Sequence, residues 1–153
     1  MPNKQPEILV VEDSLVDSQL LLRAFGRCRS DCRFTVLDDG EKALSYMHRT
    51  GPYAAATRPD LILLDLNLPK RNGIEVLASI KADLSLRQIP VVILSTSESE
   101  EDITAAYRLH ANGYLTKTID LYQFFAKISA LEEFWLSTMR MPSDGEEDIW
   151  RQL

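Results

Sequence analysis

Cysteine and histidine are scarce in this chain, two of each in 153 residues. Cys28 and Cys32 stand in C-x-x-x-C spacing, and His48 and His110 lie far from them in sequence. A structural zinc site needs four such ligands, so two ordinary thiols in a reducing compartment is the reading that fits. Long apolar runs are missing too. Nothing approaches the ~20 apolar residues of a membrane helix. The start, Met1-Pro2-Asn3-Lys4-Gln5-Pro6, has no apolar core that would make it a signal peptide. A cytoplasmic protein with no membrane association is expected. Basic runs are absent as well, and the formal net charge is −6. Arg23, Arg27, Arg29 and Arg33 form the only basic enrichment, which reads as a solvated helix end. Phosphate contacts need clustered Lys and Arg, so direct nucleic-acid binding is not expected. There is no internal repeat and no low-complexity segment.

What is present is an ordinary globular composition, 45% hydrophobic and 26% charged. That suits one domain with a real core. The informative feature is how three apolar runs end. Ile8-Leu9-Val10-Val11 stops at Glu12-Asp13, Leu61-Ile62-Leu63-Leu64 stops at Asp65, and Gly113-Tyr114-Leu115-Thr116 stops at Lys117. A short apolar run ending in a carboxylate reads as a buried parallel strand delivering an acid to one rim of a sheet. Three acids and one ammonium on one rim can hold a divalent cation beside a carboxylate able to accept a phosphoryl group.

The rest of the chain supports that frame. Residues 7–11 read as a strand, and Asp13 or Ser14 can cap a helix running to about Arg27. Residues 34–37 read as a second strand. Asp38-Asp39-Gly40 is a turn signal before a helix over 41–49. Residues 51–59 form a connection with two prolines, and 60–64 a third strand. A Pro- and Gly-bearing loop over 68–73 leads to a helix over 74–82. Residues 89–94, rich in β-branched side chains, read as the fourth strand. Ser97 and Ser99 are both candidate caps for a helix over 100–110, with Glu100 three residues after Ser97 as in a capping box. Residues 114–116 read as the fifth strand. The last helix, over 119–136, has Leu121, Phe124, Ile128, Leu131 and Trp135 as the stripe expected to face the sheet. Five β-α units in succession predict an α/β fold, a parallel sheet with helices on both faces. In such sheets the site lies at the carboxyl ends of the strands, where the acids and the lysine are.

With these residues in place, the chain resembles the receiver domains of bacterial two-component response regulators. The matches are Glu12-Asp13, Asp65, Ser95, Tyr114 and Lys117, spread over about residues 7–137. Taken alone, the Glu-Asp pair reads as a helix cap, Asp65 as a turn residue, Tyr114 as a packing aromatic and Lys117 as a solvated strand end. Their joint placement in a βα frame is what is specific. The resemblance implies a flavodoxin-like doubly wound sheet of strand order 2-1-3-4-5. It makes Asp65 the phosphoacceptor and Glu12 and Asp13 the acidic pair that holds Mg²⁺, with Asn67 supplying a backbone carbonyl. Lys117 pairs with Asp65 and later with the phosphoryl oxygens. Ser95 supplies the hydroxyl that reaches the phosphoryl group, where the family more often has Thr, and Tyr114 is the aromatic that turns with it. One departure stands out: Thr118 follows the lysine where most receivers have a cis proline. A non-proline cis bond costs about 3–4 kcal/mol, so a trans turn is expected.

The expected division is a lead over 1–6, a receiver over 7–137 and an acidic tail over 138–153. So short a remainder suggests a stand-alone receiver acting through protein contacts. The stretch from Leu64 to Lys70, the run Leu115-Thr116-Lys117 and the extended last helix resemble the small regulators that partner bacterial phytochrome histidine kinases. The resemblance therefore implies a sensor histidine kinase as partner, a bacteriophytochrome among them. It also implies a homodimer through the last strand and helix, using Tyr114, Tyr122, Phe125 and Phe134. The protein is then a phosphorylation substrate and switch, not an enzyme. Two alternatives remain open, a Mg²⁺-dependent aspartyl-phosphate hydrolase and a receiver-like scaffold that never takes phosphate. Such hydrolases usually carry a second acid two residues after the nucleophile, and here that place holds Asn67.

Overall fold

The computed structural model describes residues 5–28 and 31–138. The elements alternate: β1 (Glu7–Val11), α1 (Leu15–Cys28), β2 (Arg33–Leu37), α2 (Gly40–Met47), a 3₁₀ turn (Gly51–Tyr53) and β3 (Leu61–Leu64). Then come α3 (Gly73–Ala82), β4 (Val91–Ser95), α4 (Glu100–Arg108), β5 (Gly113–Thr116), α5 (Leu121–Glu132) and a π-helical turn (Glu133–Thr138). The five strands form one parallel sheet in the order β2-β1-β3-β4-β5. The tail beyond Thr138, the first four residues, Arg29 and the side chains of Arg27 and Cys28 lie outside the described residues.

Strand periodicity explains the two layers, because successive side chains on a strand point to opposite faces. Leu9, Val11, Ile62, Leu64, Val91 and Ile93 face one side, where α2, α3 and α4 bring Ala43, Met47, Val76, Leu77, Ile80 and Ala106. Ile8, Val10, Leu61, Leu63, Val92 and Leu94 face the other, against Leu21, Ala24 and Phe25 of α1 and Phe124, Ile128 and Leu131 of α5. With both faces covered, β3 reads as a continuous apolar run and every residue in it is buried.

Some boundaries differ from the sequence reading. The fourth strand starts at Val91, since Pro90 has no N–H to enter the ladder and Ile89 N–H closes a turn onto Leu86. Ser99, not Ser97, caps α4, its hydroxyl accepting from Asp102 N–H at 3.1 Å. α5 begins later than expected, because Asp120 caps it by accepting from Tyr122 and Gln123 N–H. The α5 stripe also needs correction. Leu121 is 49% exposed, because the sheet has ended beneath the first turn. Trp135 is partly buried against the core, as expected, and so is Phe125 beside that stripe.

Two glycines allow approaches no side chain would. A Cβ at Gly73 would fall 2.1 Å from the carbonyl oxygen of Asp65, and one at Gly40 would fall 1.8 Å from that of Arg71. The N-termini of α3 and α2 are thereby drawn onto the loop after β3.

Candidate functional site: an acid cluster at the sheet rim

Backbone ladder bonds extend one residue past the strands and fix this rim. Glu12 N–H donates to Leu37 O at 2.9 Å, Asp65 N–H to Val11 O at 3.0 Å and Lys117 N–H to Ser95 O at 2.8 Å. The side chains that follow converge. Carboxylate oxygens of Glu12, Asp13 and Asp65 all lie within 4.8 Å of one another. Glu12 and Asp65 are buried, while Asp13 faces solvent. Lys117 Nζ donates to Glu12 Oε1, to Asp17 Oδ2 at 3.1 Å and to Asp65 Oδ2 at 3.3 Å. An ammonium has three N–H donors, and here each meets a carboxylate. Asp65 is held at both oxygens, since Asn67 N–H donates to its Oδ1 at 3.2 Å.

The electrostatics follow from too many anions around one cation. Burial raises the Glu12 carboxyl, Lys117 pulls it back and Asp65 raises it further, leaving a pKa of about 7. Burial works against the Lys117 charge, but Glu12, Asp65 and Asp17 outweigh it, and the ammonium is held above the ordinary lysine value. A cluster of hard oxygen donors with surplus negative charge suits a hard divalent cation such as Mg²⁺, which keeps several waters and needs only a few carboxylates.

Ser95, fully buried, ends β4 beside this cluster. Its hydroxyl oxygen accepts from Ser97 N–H at 3.1 Å. Ser97 is a junction. Its hydroxyl donates to Asp102 Oδ2 of α4 at 2.5 Å, and its carbonyl accepts from the Tyr114 hydroxyl of β5 at 2.8 Å. Beside Lys117 lies a hollow of about 250 Å³, lined by Leu20, Leu21, Leu94 and Phe124, with Asp17 and Glu12 at its rim.

Residues 8–129 match the response regulator receiver domain model. The response regulator Rcp1 of Synechocystis sp. is 45% identical over 141 residues, covering 92% of this chain and 96% of that protein. The crystal structure of the phosphorylated cyanobacterial phytochrome response regulator RcpA superposes with a TM-score of 0.88 at 48% identity, covering 92% of this chain and 100% of that one. The Mn²⁺-bound form of Rcp1 gives a TM-score of 0.86 at 45% identity, covering 90% of this chain and 99% of that one. The chain belongs to the response regulator receiver family.

Within this receiver, the residues singled out from sequence, Glu12, Asp13, Asp65, Ser95 and Lys117, do come together at one rim. Asn67 lies exposed in the loop after Asp65. Tyr114 is half-buried and tied to Ser97. The Lys117–Thr118 bond is trans, with no cis peptide among the described residues. Of the expected contact aromatics, Tyr122 is 88% exposed and Phe134 48%. Phe125 is partly buried, packed against the core beside Phe124 with ring centroids 6.2 Å apart. No described helix is long and apolar enough to cross a membrane. Asp17 was missed. Its signal was the spacing from Asp13, since i and i+4 stack on one face where a helix begins at the rim. An acid in a first helical turn also has a commoner explanation in the helix dipole.

Proposed function

We propose that this receiver is a phosphoacceptor switch, with Asp65 taking a phosphoryl group from a phosphohistidine of a sensor histidine kinase. One Asp65 oxygen attacks phosphorus, the P–N bond to the imidazole breaks, a P–O bond forms, and the imidazole leaves with a proton. The observation that carries this reading is the contact of a buried Asp65 with both Lys117 and the Glu12–Asp13 pair. A carboxylate is a weak nucleophile, so positioning and charge neutralisation supply the catalysis. Glu12, Asp13, Asp65 and the carbonyl of Asn67 would hold Mg²⁺, which when bound would neutralise charge on the phosphoryl oxygens. Lys117 turns its ammonium to those oxygens as a compact point charge. Ser95 offers its hydroxyl to another, and leaving its bond from Ser97 N–H disturbs the junction that holds Tyr114.

The names of RcpA and its neighbours support a bacteriophytochrome kinase as partner. Output then runs through protein contacts from a cytoplasmic receiver spanning residues 7–137, with a lead over 1–6 and an acidic tail over 138–153. The face of α4, β5 and α5 is the surface for a homodimer. It holds a groove of about 370 Å³ lined by Tyr107, Tyr114, Phe134 and Trp135. A symmetric pair would bring the same patch from each copy together. The deciding experiment is incubation with acetyl phosphate and Mg²⁺, read by intact mass. The expected result is one stable phosphoryl group on the wild type and none on Asp65→Asn. Full labelling of the variant would remove Asp65 from the role. Rapid turnover of acetyl phosphate without a stable adduct would favour a hydrolase.

A further inference from the structure

We propose that Asp17 is a positioning residue, a tether that keeps the Lys117 ammonium at the site when its other carboxylate partners are engaged elsewhere. The kinetic consequence rests on the phosphoacceptor reading above, whereas the tether itself does not. Of the three carboxylates around Lys117, two have other work in that reading. Glu12 belongs to the cation site, and Asp65 becomes an acyl phosphate. Asp17 is claimed by neither, since it lies outside the group of acids whose oxygens converge within 4.8 Å. It nevertheless accepts from Lys117 Nζ at 3.1 Å, closer than Asp65 does at 3.3 Å.

The local structure holds Asp17 for this task. The Ser14 hydroxyl accepts from Asp17 N–H at 3.2 Å and caps α1 there. The first turn is thereby fixed, and the carboxylate is carried across to β5, 100 positions away in sequence. Lys117 needs such restraint. Its stem is long and flexible, and the apolar hollow of about 250 Å³ beside it offers the methylenes another place to lie. Without Asp17, an ammonium released by Glu12 and Asp65 keeps none of its three described carboxylate contacts. The Asp17 side chain is 41% exposed, so the pair is screened on one side.

Peptide-resolved acetylation of lysines by acetic anhydride tests the tether directly. With millimolar Mg²⁺ present, Asp17→Ala and Asp17→Asn are expected to raise the modification rate of Lys117 roughly fivefold, the scale of one screened ion pair. The increase should be smaller without Mg²⁺, and Asp17→Glu should restore protection. An unchanged Lys117 rate in both neutral variants, with melting curves showing them folded, would overturn the proposal. The second arm is phosphorylation by acetyl phosphate. Asp17→Ala should slow it severalfold while calorimetric Mg²⁺ affinity stays within about twofold, because the residue acts through Lys117 and not as a metal ligand. In a Lys117→Ala background the same change should have no further effect. An additional loss there would show Asp17 acting independently and would refute the tether. If the wild type takes no phosphate at all, the phosphoacceptor reading falls, and the acetylation result still decides the tether.

Discussion

Replacing Lys117 by Ala probes the site most directly, because it removes the one cation from the cluster without touching an acid. In Mg²⁺-free buffer at pH 8, Glu12 and Asp65 would be left buried and facing each other, at 6% and 7% exposure. Removing one partner of a buried ion pair costs about 3–5 kcal/mol, since the remaining charge keeps its desolvation penalty. In a domain of this size each kcal/mol shifts Tm by about 2–4 °C, giving a loss of roughly 6–20 °C. The open side of the cluster, where Asp13 and Asp17 reach solvent, favours the lower half of that range. Two conditions should close the gap. Mg²⁺ supplies the missing charge and narrows the gap to the extent that the variant binds it more tightly than wild type, each tenfold in affinity being worth about 1.4 kcal/mol. Acidification supplies a proton. Glu12 has a folded pKa of about 7, above its unfolded 4.5, so its contribution to stability is greatest below 4.5 and is lost as pH rises through 7. The variant, with no ammonium to hold Glu12 down, should therefore recover between pH 8 and pH 5.5 relative to wild type. Differential scanning calorimetry at both pH values, with and without Mg²⁺, reads all four states. A Lys117→Ala protein melting within about 2 °C of wild type at pH 8 without Mg²⁺ would show that the contacts carry little energy.

Two further outcomes follow from other observations. Because a bound cation must displace the Glu12 proton, Mg²⁺ affinity should fall up to about tenfold per unit as pH drops below about 7. Calorimetric titration of Glu12→Gln should lack most of that slope, and an unchanged slope would place the proton elsewhere. For the proposed dimer, Phe134→Glu should weaken self-association seen by light scattering at micromolar concentration while leaving Tm nearly unchanged, since the ring is 48% exposed. A variant that dimerises as the wild type does would exclude this face.

The strands and the rim were legible because fully buried parallel strands write themselves as apolar runs, and the residue that ends each run is forced onto one edge. Ile8 to Val11 and Leu61 to Leu64 show this, with exposures of 0–1%. What escaped depends on relations between elements. Asp17 meets Lys117, 100 positions away, only through the tertiary packing of α1 against α5. Ser97 and Ser99 carry the same hydroxyl two positions apart. The choice between them was settled by tertiary partners, since Ser97 is taken by Asp102 and Tyr114. Leu121 obeys helical periodicity, but periodicity does not know where the sheet stops. Phe125 shows the converse: a bulky ring beside a stripe leans partly onto the core.

The Ser97 junction sits between parts of very different firmness. On one side are amides on the last rungs of the sheet, those of Asp65 and Lys117, whose deuterium uptake should be as slow as that of the central strands. On the other is α4, whose sole buried side chain is Ala106. So little apolar anchorage makes α4 a segment expected to open locally and exchange early. The energy needed to displace it is small compared with that needed to distort the rim. A displacement at Ser95 would therefore reach, through Ser97, a helix with little apolar anchorage, and the rim would stay rigid while that surface yields.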